Sequence, residues 1–76
     1  MEEVLIYTVK EVAKLLHTSP NCIYRLIEYG YIPVIKIGSI KILKNSLEKF
    51  LIENEGNDFT NIKEVKKIDF NNIGEE

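Results

Sequence analysis

Thr8-Val9-Lys10-Glu11-Val12-Ala13-Lys14-Leu15-Leu16-His17-Thr18-Ser19-Pro20-Asn21-Cys22-Ile23-Tyr24-Arg25-Leu26-Ile27-Glu28-Tyr29-Gly30 is the stretch that decides the fold. Thr8 and Glu11 have capping-box spacing, in which the hydroxyl accepts from an orphan amide and the carboxylate reaches back. Val9, Val12, Ala13, Leu15 and Leu16 follow at helical intervals and predict one apolar stripe. His17-Thr18 breaks that pattern. Ser19-Pro20 restarts it, with serine as N-cap and proline at the first helical position, where a missing N–H costs nothing. Ile23, Leu26 and Ile27 are the buried stripe of this second helix, and Gly30 suits the left-handed residue just past its end. Two helices joined by so short a turn must cross steeply, which is helix-turn-helix geometry.

Downstream, Pro33 forbids an immediate helix. Val34-Ile35-Lys36-Ile37 and Ile40-Lys41-Ile42-Leu43 flank Gly38-Ser39, and two β-branched runs around a Gly-X pair predict a hairpin with a type II′ turn. In that register Ile37 faces Ile40, Lys36 faces Lys41 and Ile35 faces Ile42. Asn45-Ser46-Leu47-Glu48 has a second capping-box spacing, and Leu47, Phe50 and Leu51 give the apolar face of a third helix running to about Asn54. Upstream, residues 2–7 are β-prone and fit an edge strand or an entry segment. The expected fold is small α+β, mainly α: a winged helix-turn-helix in the order helix, turn, helix, β-hairpin wing, helix. It occupies residues 1–55, and residues 56–76 form an acidic tail. Thr60 to Val65 either opens a short helix, or Ile62, Val65, Ile68 and Phe70 lie extended along the domain; residues 71–76 are expected to fray.

Bulk properties exclude several classes. A chain of 76 residues has room for one domain and must commit most of its apolar residues to one core. No apolar run approaches the length of a membrane span. One cysteine and one histidine leave no zinc site and no internal disulfide, and no cofactor is expected. No paired carboxylates, nucleophile–base pair or phosphate-cradling glycine loop suggests an enzyme. The net charge of −2 is unevenly spread. Residues 7–52 carry seven basic groups against three acidic ones, whereas residues 53–76 carry three against seven. The folded part is mildly basic and the tail acidic. The acidic start Met1-Glu2-Glu3, followed by no signal-peptide pattern, and the single Cys22 give the expectation of a cytoplasmic protein.

Residues 7–16 and 19–27, with the Tyr24-Arg25 pair, resemble the excisionase-type helix-turn-helix family, the small branch of the MerR-like winged-helix superfamily. Ile32-Pro33-Val34-Ile35-Lys36-Ile37-Gly38 and Leu47-Glu48-Lys49-Phe50-Leu51 continue the resemblance to about residue 52. It implies double-stranded DNA binding, with the second helix in the major groove and the wing on the backbone or minor groove. It also implies a role as an excision factor of a mobile element or a small transcription regulator. The sequence departs from the family pattern at His17, where glycine is common, at Thr18, where an aliphatic residue is usual, and at the short, uncharged wing tip Gly38-Ser39. Histidine tolerates positive φ better than most residues, so the turn is expected to survive.

The candidate DNA-contacting residues are Thr18, Ser19, Asn21, Cys22, Tyr24, Arg25, Lys36, Ser39 and Lys41. Asn21 has the chemistry to read adenine, Arg25 to grip phosphate or guanine, and Tyr24 to donate to phosphate. Cys22 is either small enough to approach a base or a buried residue beneath the helix. Lys36 and Lys41, opposite one another in the expected register, would share an anion that relieves their repulsion. A single module with so few basic contacts calls for help from further copies bound cooperatively or from an integrase or recombinase. The competing reading is a protein-interaction module on the same scaffold, without DNA binding. The tail is either a solubilising end or an interaction segment.

Overall fold

The computed structural model describes residues 4–68. Its elements are β1 (Ile6–Thr8), α1 (Val9–Leu15), α2 (Pro20–Glu28), β2 (Ile35–Ile37), β3 (Ser39–Leu43), α3 (Lys44–Glu53), β4 (Asn57–Asp58) and β5 (Lys66–Lys67). Three helices and a small antiparallel sheet, in the expected order, make the winged helix-turn-helix.

The first helix starts as the capping box requires. The Thr8 N–H donates to Glu11 Oε1 at 2.8 Å, and the Glu11 N–H donates to Thr8 Oγ1 at 3.1 Å. Val9, Val12 and Ala13 are buried and Leu16 packs against them. Leu15 is 52% exposed, because its position on the wheel lies about 100° away from that stripe. In α2, Ile23 and Leu26 are buried and Ile27 is half-buried. Its C-terminus closes with Gly30 at φ 80°, the Gly30 N–H bonded to Ile27 O at 3.0 Å and the Tyr31 N–H to Leu26 O at 2.9 Å. These paired bonds satisfy two carbonyls that would otherwise be orphaned.

The segment 2–7 resolves, within the described residues, into an edge strand. The sheet order is β1-β3-β2, with Ile6 opposite Leu43, Tyr7 opposite Ile42 and Thr8 opposite Lys41.

The wing register differs from the expected one by a residue. Ile35 faces Lys41, Lys36 faces Ile40 and Ile37 faces Ser39, with Gly38 alone at the tip at φ 73°. A slip of one residue moves a side chain to the other face of the sheet. The cause lies upstream. Ile32 is buried at 1% exposure and Val34 is half-buried, so the chain enters β2 with its even-numbered residues toward the core. Ile35 and Ile37 are therefore turned outward, at 43% and 63% exposure, while Ile40 and Ile42 pack inward.

The third helix begins earlier than Asn45, and no side chain caps it. Strand β3 runs directly into α3, and the Lys44 N–H donates to Leu5 O at 2.9 Å. The N–H of the first helical residue is thus satisfied by backbone from the entry to β1, and Asn45 lies inside the helix rather than at its cap. Leu47 and Phe50 bury one face; Leu51 remains 43% exposed.

Beyond α3 the chain turns through Gly56, at φ 90°, into a second, two-stranded hairpin. Asn57 faces Lys67 and Asp58 faces Lys66. The loop between them forms turns rather than a helix. Ile62 joins the common core at 7% exposure, and Val65 and Ile68 are half-buried. Phe59 packs edge-on to Tyr31 at 5.0 Å between centroids, and Phe50 completes the aromatic group at 5.5 Å from Phe59. Phe70 and the expected frayed end, residues 71–76, lie outside the described residues.

Burial of Ile62 makes a direct prediction for the segment that follows α3. Ile62→Ala should destabilise the fold by about 2–5 kcal/mol in urea unfolding, the usual cost of emptying a core isoleucine site. A loss below about 0.5 kcal/mol would place Ile62 in solvent.

Candidate nucleic-acid interface

The turn between α1 and α2 sets the geometry of the site. Leu16 closes α1, and His17 adopts φ 56°, the left-handed conformation expected from its place in the sequence. The His17 N–H bonds to Lys14 O at 3.2 Å and the Thr18 N–H to Ala13 O at 2.8 Å. Thr18 is exposed, so its side chain plugs nothing. Ser19 then caps α2: its Oγ accepts from the Cys22 N–H at 3.3 Å, and Pro20 follows at the first helical position. The serine hydroxyl keeps its own proton to donate elsewhere.

On α2, Asn21, Tyr24, Arg25 and Glu28 are exposed, and Cys22 is half-buried. Ser19, Asn21, Cys22 and Arg25 line one wall of a cleft of about 230 Å³. The other wall is Phe59, Thr60 and Ile62, from the loop of the second hairpin. Four of the expected site residues are thus brought together, beside a wall that sequence reasoning did not assign. The spacing of apolar residues in the tail was the available signal, but it did not indicate which helix they would approach.

The wing residues divide. Lys41 is half-buried on the outer sheet face, between Thr8 and Ile35, and its Nζ donates to Ser39 Oγ at 2.9 Å. Lys36 is exposed on the opposite face, across from Ile40. The expected facing pair Lys36–Lys41 therefore does not form, and with it goes the anion held between them. What the fold joins instead is Lys41 and Ser39, an ammonium and a hydroxyl at the base of the wing tip. Around them the outer face carries Ile6, Ile35 and Ile37, all more than 40% exposed.

Charge in the second hairpin is locally organised. The Thr60 hydroxyl, then its backbone N–H, holds the Asp58 carboxyl below the usual carboxylate range, with a smaller contribution from Lys66. The Thr60 N–H lies 2.8 Å from Asp58 Oδ1. Among the described residues no group of three or more His, Cys, Asp or Glu is placed to hold a metal ion. Among them, too, no helix is long and apolar enough to cross a membrane.

Residues 6–55 match the family described as helix-turn-helix domain. The chain belongs to that family. It is a DNA-binding family rather than an enzyme family, which suggests double-stranded DNA as the partner. No curated protein and no solved structure matches the chain.

Because the two helices of this domain meet at His17, its backbone is the sensitive point of the interface. His17→Gly should raise stability by up to about 1 kcal/mol, since glycine adopts positive φ without the Cβ clash. His17→Val should lower it by about 1–3 kcal/mol. Thermal unfolding of the two variants reads both; equal melting temperatures would contradict the left-handed turn.

Proposed function

We propose that this protein binds double-stranded DNA sequence-specifically, as an excision factor of a mobile element or as a small transcription regulator. In this reading α2, with its cap Ser19 and its last contacts near Tyr29, enters the major groove. The wing, residues 34–43, lies on the backbone or in the minor groove. The observation that carries the reading is the solvent face of α2: Asn21, Tyr24 and Arg25 are exposed together on a helix held by a tight turn. Asn21 offers a donor–acceptor pair for adenine. Arg25 offers a fork for guanine or phosphate, and Tyr24 a hydroxyl for the backbone. Lys41 with Ser39 supplies the wing's charge and hydrogen bond. Contacts so few give weak binding to any one site, which supports cooperative binding of further copies or recruitment by a recombinase.

A second reading draws on one specific observation, the outer sheet face with Ile6, Ile35 and Ile37 exposed around Lys41. Such a face suits a protein partner, and it is compatible with DNA binding through α2.

Fluorescence anisotropy with duplex DNA tests the first reading. Wild-type affinity should fall linearly with salt on logarithmic axes, as phosphate neutralisation requires. Arg25→Ala should weaken binding by about tenfold or more, and selection from a random duplex pool should enrich one motif. Salt-insensitive binding, or an Arg25→Ala variant as tight as wild type, would contradict the proposal.

A further inference from the structure

The second hairpin stands beyond the matched family region, yet it is built into the domain. Ile62 is buried in the common core and Phe59 is wedged against Tyr31 and Phe50. The loop between β4 and β5 is thereby fixed beside α2 rather than left to solvent. Its Phe59, Thr60 and Ile62 share one cleft with Ser19, Asn21, Cys22 and Arg25.

The charges of this hairpin are sorted by side. Asp58, Glu64 and Lys66 gather with Asn61 around an adjoining depression, which shares Thr60 with the cleft. The cleft toward α2 is lined by no carboxylate, and Arg25 is the one charged residue lining it among the described residues. Lys63, next in the chain to the cleft-lining Ile62, is exposed. The cleft is also continuous with the face of α2 assigned above to DNA. Continuity and the sign of the charge select an extended polyanion as occupant.

We propose that the loop of residues 59–63 is a second DNA-contacting element, which flanks α2 and holds the sugar-phosphate strand bordering the groove that α2 enters. It rests on the DNA-binding reading. Lys63 provides the positioning contact, an ammonium on the exposed loop, which fixes register on the duplex and carries no sequence information; the Thr60 hydroxyl is already committed to Asp58.

The test uses the full chain and a labelled mixed-sequence duplex of about 24 bp at low salt, where backbone contacts dominate affinity. Lys63→Glu is compared with Lys49→Glu, which makes the same charge change on α3 beside a different depression, lined by Tyr31, Pro33, Ser46 and Glu53. Lys63→Glu should weaken binding by about tenfold, Lys49→Glu by less than about threefold, and Lys63→Ala should reduce the salt slope by about 1. Loop variants no weaker than Lys49→Glu overturn the proposal, and so does tighter binding, which would make the loop a screen over α2. If Arg25→Ala is damaging while the loop variants are inert, the loop's role fails and the DNA-binding reading stands. A wild-type chain that does not bind the duplex removes both.

Discussion

In this fold everything downstream of α1 takes its direction from the two hydrogen bonds that close that helix. The Thr18 N–H reaches back to Ala13 O and the His17 N–H to Lys14 O, which is possible only while His17 is left-handed. This arrangement ends α1, satisfies two of its carbonyls and turns the chain within three residues. Ser19 and Pro20 then start α2 at an angle already fixed. Ile23 and Leu26 can meet Val9, Val12 and Ala13 only from that approach. The polar face of α2 is exposed because the opposite face is committed there. A histidine in place of glycine makes the turn possible at some strain, in the part of the domain on which its proposed function depends.

Local chemistry was legible in the sequence, and long-range chemistry was not. The Thr8–Glu11 box, the Ser19-Pro20 start and the Gly30 stop all hold, because each depends on residues within four positions of it. The wing register depended on Ile32 and Val34, whose burial sets the phase of β2 before the hairpin begins. Reading the hairpin from its own isoleucines placed all four on one face and the two lysines on the other. The Asn45 cap failed for a similar reason. The acceptor for Lys44 comes from Leu5, some forty positions earlier, and no local pattern encodes that contact.

The interface shows the same division. The exposed residues of α2 followed from the helical wheel, since the stripe that buries Ile23 and Leu26 necessarily presents Asn21, Tyr24 and Arg25. The second wall of the cleft did not, because Phe59 and Ile62 reach α2 through the core rather than through sequence proximity. The acidic balance of the tail also concealed an uneven distribution. Asp58 and Glu64 lie with Lys66 around one depression, and the cleft facing α2 is left without a carboxylate. A net charge of −2 thus coexists with a cleft whose one charged lining residue, among the described residues, is the cationic Arg25.

Amide chemical-shift mapping of the ¹⁵N-labelled chain, titrated with a mixed-sequence duplex at low salt, tests the central claim most directly. The account predicts that the largest changes fall in the turn and α2, from Thr18 to Glu28, with further changes in the wing around Ser39 and Lys41. Changes centred on α3, or no changes on adding duplex, would contradict it.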